Sequence, residues 1–375
     1  MSVPKLRFKE FDEAWKPSIL ADISNIVTGS TPATSKSEYY DGDFLFVSPA
    51  DIQENRYVDA TKTTLTKEGF NKCRHIPKNS ILFVCIGSTI GKIAQNKEIC
   101  ATNQQINAVI PNNDHVSDFL YLVLDKLAPS IKLTAGVQAV PLINKTEFGK
   151  TELFTPTLGE QTKIASFLSA VDEKINQLTQ KHELLSQYKQ GMMQKLFSQQ
   201  IRFKADDGSE FGEWEELKFK DVIKIKYGKD HKKLEDGDIP VLGTGGIMRY
   251  VDSYLYDGES ILIGRKGTID KPQFISGKFW TVDTLFYTEI GEKIQPKFAF
   301  QQLLLVNWLN LNEATGVPSL NTTSIGNIEL KVPNLKEQTK IANFLSAIDQ
   351  KIEVVAQQIE QAKTWKKGLL QQMFV

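Results

Sequence analysis

The 375-residue chain is poor in the residues that most often carry independent chemistry. It has three cysteines (Cys73, Cys85 and Cys100) and four histidines. The cysteines make no disulfide framework, and no CxxC pair is present to hold zinc. His75, His115, His182 and His231 are scattered, without HExxH or any other metal-ligand spacing. There is no Gly-x-Ser-x-Gly elbow, no GxGxxG after a strand, and no Asn/Asp-Pro-Pro-aromatic motif of the amino-methyltransferases, so nothing nominates an active site. The chain is expected to be non-catalytic and to hold no cofactor or metal of its own. No stretch of 18 apolar residues occurs, and the opening MSVPKLRFKE lacks an apolar h-region, which leads us to expect a cytoplasmic protein. Charge of either sign is not in excess, with 45 basic against 45 acidic side chains. Taken alone, that balance argues against a nucleic-acid partner, because phosphate contact governs non-specific affinity. The 41% apolar and 10% aromatic content is that of a globular protein, long enough for two or three domains.

The dominant feature is a repeat. Glu160–Phe197 and Glu337–Phe374 align without a gap at an offset of 177, with 19 of 38 positions identical, and chance does not produce that. Upstream, Ala135-Gly136-Val137 resembles Thr315-Gly316-Val317, and Asn144, Phe148-Gly149, Glu152-Leu153 and Pro156 align with Asn321, Ile325-Gly326, Glu329-Leu330 and Pro333. The beginnings of the halves also match: Arg7-Phe8, Phe11, Trp15 and Asp22-Ile23 recur as Arg202-Phe203, Phe211, Trp214 and Asp221-Val222. Between these anchors the halves share rhythm but few residues. The expected plan is a globule over 1–158, a helix over 159–200, a second globule over 201–335 and a second helix over 336–375.

Each 38-residue copy carries a heptad seam. In the first, Ile164, Leu168, Val171, Ile175, Leu178, His182, Leu185, Lys189, Met192 and Leu196 follow steps of four and three. In the second, Ile341, Leu345, Ile348, Ile352, Val355, Ile359, Ala362, Lys366, Leu369 and Met373 do the same. A helix of that length spans about 57 Å and needs a partner, which the other copy supplies. Apolar residues off the seam, Phe167, Tyr188, Met193, Phe197, Phe344, Trp365, Leu370 and Phe374, form a second stripe for another surface. The globules read as α+β, with mostly antiparallel sheets: strands are expected at Phe44–Val47, Ile81–Ile86, Ile106–Ile110, Ile261–Ile263 and Thr281–Tyr287, and helices at Asp118–Leu127 and Pro296–Leu311. Gly87-Ser88-Thr89-Ile90-Gly91-Lys92-Ile93 looks like a phosphate loop but has the wrong glycine spacing and Ile93 in place of the hydroxyl. A tight turn between strands is the expected structure there.

What remains is a polar recognition inventory. Lys224–Lys233 holds five lysines in ten residues, with Tyr227 and His231 interleaved. Its members Lys226, Tyr227, Lys229, Lys232 and Lys233, together with Arg249, Arg265, Lys266 and Lys271, are candidates for DNA contact. The first globule offers Thr28, Ser30, Thr31, Lys72, Arg74, Lys92, Gln104 and Gln105. Lysines suit phosphate, while Arg and Gln supply forks for guanine and adenine edges. A solvated face is the plain alternative for any one of them. Residues 1–158 carry 17 basic and 17 acidic groups, and 201–335 carry 17 and 20. Any DNA binding must therefore come from one face of each globule or be shared with a more basic partner.

With these motifs in view, the chain resembles the specificity subunits of type I restriction-modification systems over its whole length. The resemblance rests on the two EQTKIA-x-FLSA helix starts, the Leu6-Arg7-Phe8, Phe11 and Trp15 opening, Thr28-Gly29-Ser30-Thr31-Pro32, Val47-Ser48-Pro49-Ala50-Asp51-Ile52 and Gly237-Asp238-Ile239-Pro240-Val241. It implies two target-recognition domains, each reading half of an asymmetric double-stranded DNA target. It further implies that the helices form an antiparallel coiled coil with a pseudo-two-fold internal duplication, a spacer that docks two modification subunits. Coiled-coil and docking residues would be Ile164, Phe167, Leu168, Val171, Ile175, Leu178, Leu185, Ile341, Phe344, Leu345, Ile348, Ile352, Val355 and Ile359. S-adenosylmethionine, and ATP with magnesium for restriction, would belong to the modification and motor-nuclease partners. Two other readings stand beside this one: the specificity subunit of a fused type IIB-like restriction enzyme, and a coiled-coil scaffold whose globules bind proteins.

Overall fold

The computed structural model describes residues 3–53, 55–136 and 140–375. Val137, one of the positions matched between the halves, lies outside them. The chain divides into two compact units, one of Met1–Leu178 with Gln358–Val375, the other of Thr179–Gln357. This differs from the expected four segments, because each long helix divides its packing between the units.

Unit 1 begins with β1 (Lys16–Ile19), α1 (Leu20–Ile23), β2 (Ser24–Thr28), β3 (Tyr40–Val47), β4 (Tyr57–Val58), β5 (Thr63–Leu65) and α2 (Lys67–Asn71). It continues with β6 (Ile81–Val84), β7 (Ile93–Asn96), β8 (Ala101–Thr102), β9 (Ile106–Pro111), α3 (Ser117–Leu133), α4 (Lys145–Gly149) and β10 (Glu152–Thr155). A five-stranded sheet runs β2-β9-β6-β7-β4 and a three-stranded one β5-β3-β8. Pairing is antiparallel except for β3 with β8 and β4 with β7. Strand β6 shows why its sequence is apolar without alternation. Ile81 and Phe83 face the cluster built on α3, whereas Leu82 and Val84 face a second cluster with Val47, Ile52 and Ala108. A strand covered on both sides reads as a continuous apolar run. Each such side chain, fully buried, contributes about 1.5–3 kcal/mol.

From unit 1 the long helix α5 (Leu158–Phe197) leads into β11 (Glu215–Lys218), α6 (Phe219–Val222), β12 (Ile223–Tyr227), β13 (Ile239–Gly243), β14 (Gly246–Val251) and β15 (Tyr256–Asp257). Then follow β16 (Ser260–Gly264), β17 (Gln273–Ile275), β18 (Lys278–Thr281), β19 (Leu285–Ile290), α7 (Pro296–Leu303), α8 (Thr322–Gly326), β20 (Glu329–Val332) and α9 (Leu335–Met373). The sheets of unit 2 run β12-β19-β16-β17 and β14-β13-β18-β15, the second again containing one parallel pair, β13 with β18. Two expectations need correction. The strand expected over Thr281–Tyr287 is two strands, because Val282–Thr284 form a turn closed by Leu285 N–H on the Val282 carbonyl, at 3.0 Å. The helix expected over Pro296–Leu311 stops at Leu303 and resumes as a short 3₁₀ turn, Trp308–Leu311. There the Asn307 side chain caps the turn, and the buried Trp308 indole donates to the Leu303 carbonyl at 3.0 Å.

The helices pair through the seam. In unit 1 the first part of α5, with Ile164, Leu168 and Val171, shares a core with Leu369, Met373 and Phe374 from the end of α9. In unit 2 the end of α5, with Met193, Leu196 and Phe197, shares a core with Ile341, Leu345 and Ile348 from the start of α9. Start against end in both units makes the pair antiparallel. Two ion pairs state the same arrangement: Lys366 meets Asp172 at 2.6 Å in unit 1, and Lys189 meets Asp349 at 2.7 Å in unit 2. These four residues are two repeat-equivalent pairs with the copies exchanged, the reciprocity of a self-complementary contact.

Candidate nucleic-acid interface

Each globule is fixed to its helix by the first two residues of the repeated motif. Glu160 is fully buried, and its carboxylate accepts Arg7 Nε and Nη2, both at 2.7 Å, and Trp15 Nε1 at 3.3 Å. Glu337, also fully buried, accepts Arg202 at 3.1 and 2.8 Å and Trp214 at 3.2 Å. The two-pronged guanidinium contact satisfies both oxygens of a charge that would otherwise be expensive to bury. The next residue holds the loop beneath. Gln161 accepts from Val116 N–H and donates to the Asp114 and Pro156 carbonyls, and Gln338 accepts from Gln295 N–H and donates to those of Lys293 and Pro333. The Glu-Gln pair, the Arg and the Trp are thus one device, present in each half.

Held this way, the globules present the same backbone frame at one end of their sheets. Gly29 N–H bonds Ile106 O, and Ser30 N–H bonds Thr102 O; Gly228 N–H bonds Leu285 O, and Lys229 N–H bonds Thr281 O. Neither glycine can carry a side chain, because an added Cβ would lie 2.1 Å from the Asn103 carbonyl oxygen or 2.0 Å from that of Val282. Asn103 N–H bonds Val47 O as Val282 N–H bonds Leu242 O, and Cys85 N–H bonds Gln105 O as Arg265 N–H bonds Thr284 O. The frame therefore aligns Thr28 with Tyr227, Ser30 with Lys229, Cys85 with Arg265, Gln104 with Asp283 and Gln105 with Thr284. The main-chain bonds are kept while the side chains they present differ in charge, size and hydrogen-bonding sense.

The sequence candidates separate on this frame. In unit 1, Thr28, Ser30, Thr31, Arg74, Gln104 and Gln105 come together. Thr31 Oγ1 donates to Gln104 Oε1 at 2.6 Å, and among the described residues the exposed amide nitrogen has no hydrogen-bond partner; Arg74 Nη1 donates to Thr28 O at 2.6 Å, and its backbone N–H bonds Ser30 Oγ. Gln105 is different, because its amide accepts from Asn103 Nδ2 and donates to Ile86 O. Lys92 is likewise engaged, its Nζ bonding Ile52 O at 2.8 Å; Lys72 is exposed after α2. In unit 2, Lys226 pairs with Glu289 at 3.3 Å and Arg249 with Asp236 at 2.8 Å. Lys229, Lys232, Lys233, Lys266 and Lys271 are exposed, and among the described residues none has a carboxylate partner. Tyr227 is half-exposed, edge-on to Phe286, with the Arg265 guanidinium 5.4 Å from its ring centre.

A cavity of about 720 Å³ opens beside this frame in unit 2, lined by Asp230, His231, Lys232, Thr244, Asp283 and Thr284 among others. Asp283 and Thr284 were not candidates from sequence. The signal was present, since Thr102 and Thr281 mark the same step before both turns, but the residues after them share no type. Gly87 and Gly91, both at positive φ, form the turn between β6 and β7 that stood in for a phosphate loop. Among the described residues no three His, Cys, Asp or Glu are grouped to hold a metal ion, and no helix is long and apolar enough to cross a membrane.

The helix candidates are largely engaged within the chain. Ile164, Leu168, Val171, Leu178, Ile341, Leu345, Ile348 and Val355 are buried, and Ile175, Leu185, Ile352 and Ile359 half-buried. The second stripe expected to face partners is mostly covered. Phe167 packs edge-on to Phe8 and Trp365, Phe344 packs against Phe203, and Met193, Phe197 and Phe374 are core residues. Leu184, Tyr188, Val354 and Trp365 are the large apolar side chains that the helix interiors leave half or more exposed.

A family model for the type I restriction modification DNA specificity domain matches residues 12–186 and again 212–364. The MjaVIII type I restriction enzyme specificity subunit of Methanocaldococcus jannaschii is 26% identical, the alignment covering 96% of this chain and 91% of that one. The HindI specificity subunit of Haemophilus influenzae is 33% identical over 38% of this chain and 32% of its own. The crystal structure of a type I restriction-modification S subunit from M. genitalium superposes with a TM-score of 0.70 at 18% identity, covering 100% of this chain and 99% of that one. With the same domain matched in each half, on the frame that repeats in each unit, the chain belongs to the type I restriction-modification specificity subunits.

Proposed function

We propose that the two units read the two halves of one asymmetric, bipartite double-stranded DNA target, and that the helices dock modification subunits that methylate adenine within it. The observation carrying this reading is the conserved frame with exchanged side chains. One main-chain scaffold, repeated in each unit, supports two readers of equivalent build, since Gln104 against Asp283 or Thr28 against Tyr227 gives each unit a different hydrogen-bonding face. Base edges are distinguished by such donor and acceptor patterns, and phosphate contacts by free cations. Unpaired Lys229, Lys232 and Lys266 suit the phosphates; the threonine-braced amide of Gln104 suits adenine. Exposed Tyr188 and Trp365 on the helices, aromatic anchors of the kind enriched at interfaces, are where a modification subunit would seat. The chain acts without catalysing: S-adenosylmethionine, and ATP with magnesium for restriction, are handled by the modification and motor-nuclease partners in the cytoplasm.

The test is co-expression with cognate modification subunits, followed by methylome sequencing of the host. A purified complex of two modification subunits per chain and a split adenine-methylated motif are expected. A chain that never retains a modification subunit, or a host genome without such a motif, would refute the reading.

A further inference from the structure

We propose that Arg265 reads a guanine in the half-site taken by unit 2, an assignment that rests on the DNA-reading function above. Its main chain is fixed on both sides: N–H bonds Thr284 O at 2.9 Å, and its carbonyl accepts Leu320 N–H at 3.0 Å. It directly follows β16, every residue of which is buried, so the position cannot drift. The side chain is braced as well. The guanidinium carbon lies 5.4 Å from the centre of the Tyr227 ring, and Nη1 donates to the Asp283 carbonyl at 3.2 Å. Tyr227 is itself set edge-on against buried Phe286, ring centres 5.1 Å apart. Among the described residues, Nε and Nη2 have no hydrogen-bond partner, and the residue is partly exposed. A planar fork held on one edge and over one face loses little freedom on binding, and matches the O6 and N7 acceptors of guanine.

Two observations favour a base over a phosphate. The surrounding Lys229, Lys232 and Lys266 are exposed cations on flexible stems and already provide phosphate charge. Arg265 instead stands beside Asp283, whose exposed carboxylate repels phosphate but can accept from a base amino group. The device is also confined to one unit. The frame places buried Cys85 where Arg265 stands, and a Thr28–Asn107 hydrogen bond at 2.7 Å where Tyr227 meets Phe286. A guanine reader in one unit alone makes the two half-sites different.

The experiment uses the full chain in complex with its modification subunits, with methylome motifs compared for the unchanged chain, Arg265→Gln and Arg265→Lys. Both variants should leave the unit 1 half of the motif intact and relax one G·C position of the other half. Discrimination there should fall roughly ten- to a hundredfold, the lysine failing to restore it because it lacks the fork. Uniformly weaker methylation with an unchanged motif would mean a phosphate contact and overturn the assignment, as would full specificity in Arg265→Lys. If the unchanged chain directs no split motif at all, the DNA-reading function itself falls and this assignment with it.

Discussion

Cys85 and Cys100 show how little a residue's type says without its surroundings. Both thiols are buried, and burial pushes each up to about 12 from an ordinary 9.0. The folded chain therefore keeps protons that the unfolded chain gives up above about 9. Their contribution to stability is full below that value and is lost as pH rises towards 12. At pH 8 an alkylating reagent should leave both unmodified in the native protein and label them only on denaturation, which mass spectrometry of labelled peptides would check. Rapid native labelling of either would contradict their placement in the core. Gly29 and Gly228 make the complementary point. They are conspicuous in sequence only as ordinary turn formers, but each is required because a carbonyl oxygen occupies the space of its missing Cβ. Gln105 and Lys92 were credible DNA contacts as residue types, yet both are engaged in holding loops.

At the scale of the element, the joint between globule and helix is the decisive construction. The helix start places a fully buried carboxylate against an arginine and a tryptophan brought from far away in the chain. Removing the carboxylate takes from a partly exposed arginine and a tryptophan N–H the acceptor they share. Glu160→Ala and Glu337→Ala should each destabilise the unit concerned by about 3–5 kcal/mol, read as lost hydrogen-exchange protection around the first turns of α5 or α9. A loss below about 1 kcal/mol, typical of surface pairs, would show the joint to be dispensable. The reciprocal Lys366–Asp172 and Lys189–Asp349 pairs add register to the seam, because sliding either helix by one turn separates both. Asp349 also accepts from Gln301 on α7 at 2.7 Å, while Arg56 binds Asp118 at 2.6 Å and lies near Asp172. Residues that look like solvated helix charges are thus part of the globule contacts.

For the whole molecule, the absence of net charge has a direct consequence. With 45 basic and 45 acidic groups, phosphate attraction is limited to local faces such as that around Lys229 and Lys232. The isolated chain should bind duplex DNA weakly at physiological salt, with a dissociation constant no tighter than about 10⁻⁶ M, in the non-specific range. Assembly with modification subunits should tighten binding and steepen its salt dependence. Fluorescence anisotropy across a salt series would measure both, and nanomolar sequence-specific binding by the free chain would contradict it.

The duplication, the two helices and their seam were legible in the sequence because they rest on local physics. A 3.6-residue period and an exact offset are visible without knowing any distant contact, and the seam positions are the buried and half-buried ones. Apolar runs such as Ile81–Val84 were equally plain, since a strand covered on both faces needs no alternation. What folding alone decided was which polar side chains are free. Arg249 and Lys226 are neutralised by carboxylates, and the second helix stripe is largely covered by globule aromatics. The equivalence of Gln104 with Asp283 was hidden for the same reason that it matters. Main-chain hydrogen bonds hold the frame and place no demand on the side chains above it, so those were free to diverge between the two units.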